Sequence, residues 1–273
     1  MIFGKKFFYV ALLSLFTNFT NFATASAKLG YCFFNENTGE IRENHGHEAF
    51  PMQSTFKLVL VAAVLRQAQE NPKGLNYLIP VHQSDLVEWS PITKNFVKHS
   101  MTLKQLAEAA LRYSDNSAAN LLLDHIGGPN VLNRYAKNLI KANDFFLVNH
   151  EPNLSSKPNQ RSDTCSPCGM LECLRVLLNS PNLSEHSRTL LKQWLLTNTT
   201  GAKRIRGGVP KSWPVGDKTG TGSYGITNDV AVIYPPKAKP IYLSIYRITD
   251  QIDATQDEKA LADLTHTLLS SLK

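Results

Sequence analysis

Three short runs of this chain carry residue types that could do chemistry together: "STFK" at 54–57, "SDN" at 114–116 and "KTG" at 218–220. A serine hydroxyl is a weak nucleophile until a neighbouring base removes its proton. Ser54 stands where a polar loop turns into the apolar run "FKLVLVAAVL". A lysine three residues on then shares its helical face, about one turn along. Lys57 sits among Phe56, Leu58 and Val59, and desolvation near a second cation such as Lys218 favours its neutral, basic form. The N–H of Ser54, at a helix start, points where a carbonyl oxygen would become an oxyanion, and the N–H of Thr221 in "KTGTG" offers a second donor. Each run alone also has a plain structural reading. Ser54 can cap a helix, Ser114 to Asn116 can be a loop and cap before "SAANLLLDHI", and "GDKTGTGSYG" can be a strand entering a glycine turn.

The elements that must hold these runs follow from periodicity. Short β-rich runs lie at the two ends of the chain: "LGYCFFNENTGEIREN" reads as two strands around a turn, and "DVAVIYPPKAKPIYLSIYRIT" as two more around a Pro and Lys loop. Between them "TLKQLAEAALRY" and "SEHSRTLLKQWLL" have helical spacing, as does the C-terminal "DEKALADLTHTLLSSL", with Ala260, Leu261, Leu264, Leu268 and Leu272 on one face. Neither terminal hairpin is stable alone, so the strands must meet in one sheet. The expected fold is α+β, of the α/β sandwich type. An antiparallel sheet built from both chain ends carries flanking helices, and an all-helical domain is inserted between them. The expected division is 28–50 with 205–273 for the sheet domain and 51–204 for the helical one, with the active site in the crevice between them.

With 273 residues, 42% hydrophobic and 19% charged, the chain can bury a substantial core. Its first 27 residues read as a secretory signal peptide: Lys5 and Lys6 precede "FFYVALLSLF", and "ATASA" ends in small residues before Lys28. The apolar run is too short to span a bilayer, so no membrane contact is expected after cleavage. Removing Lys5 and Lys6 lowers the formal charge from +7 to +5, scattered along the chain, which suits anionic small molecules and argues against nucleic acid. Cys165 and Cys168 form a C-x-x-C where Pro167 opens a helix; without a second ligand pair or a thioredoxin-like context, they read as packing or disulfide-forming residues. No metal is expected at His45 and His47, which flank a turn glycine.

In this order and at these separations, the three motifs resemble those of class A β-lactamases and penicillin-binding proteins. "FPMQSTFK", "YSDNSAANLLLDHIGGP", "NTTGAKRIRGGVPKSW" and "VGDKTGTGSYGITNDVAVIYP" extend the resemblance to a class A serine β-lactamase over nearly all of the chain beyond residue 27. The resemblance implies a cofactor-independent, monomeric, periplasmic enzyme acting on β-lactams. By it, Ser54 is acylated, Ser114 passes a proton to the departing lactam nitrogen, and Asn116 binds the side-chain amide of the substrate. Lys218, Thr219, Gly220 and Thr221, with Arg204, hold the substrate carboxylate, and Trp89 falls where the family carries an aromatic gate. Glu151 in "EPNLSS" matches the family's Ω-loop glutamate near 149–167, the base that activates water to free the serine; whether it or Lys57 starts acylation stays open. The competing readings are a DD-peptidase inhibited by β-lactams and a non-catalytic penicillin sensor.

The sequence departs from the family at three places. Ser155 replaces the asparagine that helps hold the hydrolytic water, though its hydroxyl can still bind one. Asn149 replaces the arginine that braces the loop, leaving Asp163 without its usual partner in a loop about a residue shorter. A more mobile loop, and a cavity open to bulky β-lactams, are the expected results. Finally, Lys28 leads directly into the first strand where members begin with a helix, so either the C-terminal helix exposes an apolar stripe or the leading segment is not a signal peptide.

Overall fold

The computed structural model describes residues 26–179 and 181–272. Along the chain, β1 (Ala27–Asn35) and β2 (Glu40–Asn44) form a hairpin, followed by β3 (Phe50–Pro51) and α1 (Phe56–Ala68). Next come β4 (Leu78–Pro80), β5 (Ser100–Thr102), α2 (Leu103–Arg112), α3 (Asn116–His125) and α4 (Pro129–Tyr135), which runs into a π-helical turn, Ala136–Ile140. Then β6 (Thr164–Cys165), α5 (Pro167–Asn179), α6 (Glu185–Leu196) and α7 (Ile205–Gly208) lead to β7 (Val215–Gly222), β8 (Ile226–Ile233), β9 (Ile241–Thr249) and α8 (Glu258–Ser270).

The five-stranded sheet has the order β2-β1-β9-β8-β7 and is antiparallel throughout, so strands from both chain ends pair directly, from Ala27↔Thr249 to Asn35↔Ile241. The fold class expected from the sequence is the one observed. The middle of the chain is not purely helical, however: β3 pairs with β6 and β4 with β5 in two small ladders. Two- and three-residue strands lack the alternation that betrays longer ones.

Side chains alternate across the pleat, so β8 is buried on both faces. Val230 and Val232 face α5 and the helices, whereas Ala231 and Ile233 join Leu243, Ile245, Leu261, Leu268 and Leu269 under α8. α8 therefore shows no exposed apolar stripe: Leu261 and Leu268 are buried, and Leu264 and Leu272 are half-buried. The other arm of that expectation, the signal segment, lies outside the described residues except at Ser26 and Ala27. No helix among the described residues is long and apolar enough to cross a membrane.

The C-x-x-C pair is split. Cys168 is bonded to Cys32 of β1, with Cα atoms 5.0 Å apart, while Cys165 and Cys173 are free and buried. Burial, with Cys173 nearby, pushes the Cys165 thiol well above its ordinary range, so it is not a poised thiolate.

Candidate active site

A 3₁₀ turn at Gln53–Thr55 delivers Ser54 to the start of α1, and no side chain caps that turn. The hydroxyl does other work: Ser54 Oγ donates to Glu151 Oε1 at 3.1 Å. Lys57, in the first turn of α1, is fully buried, and its Nζ lies 3.1 Å from the same Oε1. It also donates to the Ser114 carbonyl at 2.9 Å and to Asn116 Oδ1. Burial lowers the Lys57 pKa, against the opposing pull of the Glu151 and Asp115 carboxylates.

Ser114 occupies the left-handed region at φ 57°. Asp115, not Ser114, caps α3 by accepting from Ala118 N–H, and it also takes the N–H groups of Ile92 and Thr93. This fixes the strained residue between two lysines, because Lys218 Nζ donates to Ser114 Oγ at 3.0 Å. Lys218 is fully buried too, and burial together with the nearby Lys57 charge holds its pKa well below that of an ordinary lysine. Asn116 completes this wall: its Nδ2 donates to the Glu88 carbonyl at 2.9 Å and its N–H to the Trp89 carbonyl at 3.0 Å.

The opposite wall is the end of β7. A Cβ on Gly220 would lie 2.6 Å from the Met52 carbonyl, so only glycine lets the strand run this close to the nucleophile turn. Arg204, 4% exposed, donates to the carbonyls of Gly220 and Asn228, both at 2.8 Å, and to Thr221 Oγ1 at 2.7 Å. Thr200 and Thr219 share a hydroxyl–hydroxyl bond of 2.6 Å. The guanidinium, the buried ammonium and these hydroxyls make this end of the cleft suited to a carboxylate.

Glu151 sits on the Ω-loop, whose hydrogen bonds go beyond what the sequence suggests. Glu151 N–H donates to Asn120 Oδ1 at 3.0 Å, and Asn120 Nδ2 returns a bond to the Glu151 carbonyl at 2.9 Å. Asp163 does not lack a partner. It accepts from Asn149 Nδ2 at 2.7 Å and from the N–H groups of Val148, Asn149 and Ser155 at 2.7, 3.0 and 2.9 Å. Burial works against its charge, but the bonds from Asn149, Ser155 and Val148 win, and its pKa is lowered. Ser155, expected to hold the hydrolytic water, has its hydroxyl paired with that of Ser162 at 2.8 Å and its N–H donating to Asp163 Oδ2 at 2.9 Å.

Ser54, Ser114, Asn116, Glu151, Arg204, Thr219, Thr221 and Trp89 therefore converge on one cleft of about 670 Å³, with Lys57 and Lys218 bonded beneath it. Trp89 stands at its mouth, 62% exposed, with Nε1 donating to the Tyr113 carbonyl at 3.1 Å. Sequence reasoning missed Asn120 and Thr200, although both fall inside segments that carried the resemblance. Their roles are set by partners distant in the chain, which spacing alone does not reveal.

A sequence profile of the beta-lactamase enzyme family matches residues 15–272. Beta-lactamase OXY-1 of Klebsiella oxytoca is 41% identical over 239 residues, covering 87% of this chain and 82% of the relative. The crystal structure of a beta-lactamase from Desulfarculus baarsii superposes with a TM-score of 0.88 at 40% identity, over 90% of this chain and 92% of that one. A variant of the last common ancestor of Gram-negative class A β-lactamases gives 0.86 at 41% identity, with the same coverage.

Proposed function

The chain belongs to the class A β-lactamase family, and from that premise we propose that Ser54 opens the lactam ring and that Glu151 returns the serine to its free form. The enzyme hydrolyses the amide of β-lactams and so confers resistance to them. One observation carries the assignment of roles: a single oxygen of Glu151 lies 3.1 Å from both the Ser54 hydroxyl and the Lys57 ammonium.

In acylation Ser54 Oγ gives its proton to a base and bonds to the lactam carbonyl carbon. Glu151 is in direct contact for that transfer, and Lys57 shares the role through the same oxygen. The oxyanion is met by the N–H groups of Ser54 and Thr221, each such donor being worth about 100- to 1000-fold in rate. As the C–N bond breaks, Ser114 Oγ passes its proton to the nitrogen and is resupplied from Lys218 Nζ, and the proton taken from Ser54 returns by way of Lys57 to Lys218, which leaves Glu151 a carboxylate again. Lys218, Thr219, Gly220, Thr221 and Arg204 form the wall that receives the substrate carboxylate, and Asn116 and Trp89 border its side chain. In deacylation Glu151 takes a proton from water, the hydroxide attacks the ester, and Ser54 Oγ leaves with a proton.

Glu151→Gln tests this. The variant should still acylate with a penicillin but lose at least about 100-fold in turnover, leaving a stable adduct on Ser54 visible by intact mass. Undiminished steady-state turnover would sink the assignment. Turnover of many equivalents by the wild type separates the enzyme from a blocked DD-peptidase or a sensor. The Lys5–Lys6 flank, apolar run and "ATASA" support export to the periplasm. The family resemblance also supports a monomer as the working unit. It also divides the chain into a sheet domain, 28–50 with 205–273, and a helical domain, 51–204, whose last residues Thr200 and Arg204 join the β7 wall.

A further inference from the structure

Gln53 immediately precedes the nucleophile and has no part in the mechanism above. It is 6% exposed, and its backbone is in the left-handed region at φ 47°. A residue with a long side chain persists there only where its surroundings hold it. The side chain uses that geometry to reach across the site. Its Nε2 donates to the Ser155 carbonyl at 2.8 Å and to Ser156 Oγ at 2.9 Å, both on the Ω-loop arm that follows Glu151. It also lies against β7: a Cβ on Gly222 would come within 2.8 Å of Gln53 Cδ, and one on Gly220 within 3.1 Å of Gln53 Cβ. One side chain thus joins the turn that carries Ser54, the loop that carries Glu151 and the strand that carries the Thr221 N–H.

We propose that Gln53 is a positioning residue for deacylation: its two amide donations hold the Ω-loop at a set distance from Ser54, so that Glu151 keeps a water aimed at the acyl carbonyl. This rests on the reading of Glu151 as the deacylating base. The loop's other anchors lie elsewhere, Asn120 on α3 and Asp163 at the loop's neck. Gln53 is the tie on the sheet side. Ser155 is also tied within the loop to Asp163 and Ser162, so without Gln53 the neck stays closed while the arm loses its bond to the nucleophile turn. Acylation is less sensitive to such movement, because the Ser54 proton passes directly to an oxygen 3.1 Å away and no water has to be aimed. Deacylation depends on Glu151 to aim a free water.

The test is stopped-flow kinetics of Gln53→Met and Gln53→Glu with a chromogenic cephalosporin, resolving acylation from deacylation. Both variants keep the length of the side chain; Gln53→Met loses the donors, and Gln53→Glu loses them when ionised. We expect acylation to stay within about threefold and deacylation to fall by as much as about 100-fold. An adduct then accumulates, kcat and KM fall together, and hydrogen exchange in 152–157 quickens. Ser156→Ala, which leaves the strained turn intact, should shift deacylation the same way by a smaller factor. Acylation and deacylation falling in equal proportion, or deacylation unchanged in Gln53→Met, overturns the proposal. If the Gln53 variants do not fold, unchanged deacylation and loop exchange in Ser156→Ala overturns it instead. Glu151→Gln run alongside separates the two claims. An adduct there with wild-type-like Gln53→Met rejects the Gln53 role alone, whereas no adduct there rejects the catalytic reading and this inference with it.

Discussion

Two ammonium groups without water, Lys57 and Lys218, are the unusual expense of this site. Each is placed to donate to the nucleophile's surroundings, and each has its pKa lowered, first by burial. The consequence for stability has a definite sign. Between the lowered folded value and the ordinary lysine value of about 10.4, the unfolded chain binds more protons than the folded one, so stability rises with pH across that window. Below the folded value the penalty for burying the charge is present in full. Lys218→Met removes the group while preserving most of its volume. The stability difference between wild type and Lys218→Met, from urea titrations, should therefore move in favour of the wild type as pH climbs through the window, while kcat/KM for a penicillin drops in the variant. A difference that stays flat with pH contradicts the account of Lys218 as a buried, depressed base.

At the scale of the element, the Ω-loop shows how far residue identity can be trusted. From the sequence, Asn149 in place of an arginine implied a loose loop, yet Asp163 collects one side-chain and three backbone donors. Losing an ion pair matters less than keeping buried lone pairs satisfied. Asp163→Ala should leave those donors unpaired at about 1–3 kcal/mol each, speed hydrogen exchange throughout 148–163 and slow deacylation. Asn149→Ala removes one bond of four and should cost about 1 kcal/mol. Equal effects from the two substitutions contradict the view that the backbone donors dominate. The motif residues and the long amphipathic elements were legible because local spacing encodes them: Ser54 with Lys57, the strands at both ends, α2 and α8. Asn120, Gln53 and the turning of Ser155 toward Ser162 were not, since each depends on a partner brought near only by the folded chain. The C-x-x-C read as packing or disulfide-forming residues, and both occur, but the bonding partner Cys32, 136 residues away from Cys168, was not legible.

Across the whole molecule, the Cys32–Cys168 bond ties β1 to the start of α5, just beyond the Ω-loop exit. Closing so long a loop restricts the unfolded chain, a contribution of about 4–5 kcal/mol in the chain-entropy account. A Cys32→Ser, Cys168→Ser double variant should unfold at markedly lower denaturant, and reduced wild type should approach it; coincident transitions for oxidised and reduced protein would show that the bond adds nothing. The sheet order has a different implication, one of timing. β1 lies between β2 and β9, so among the described strands the first has an open edge until the last one emerges. During synthesis the β1–β2 hairpin, the small ladders and the helical segments can find their neighbours, but the five-stranded sheet closes as a late, long-range event. A chain built this way remains threadable until its final strand is made, and the catalytic wall of β7, which relies on β8 and β9 behind it, is among the last parts to take shape.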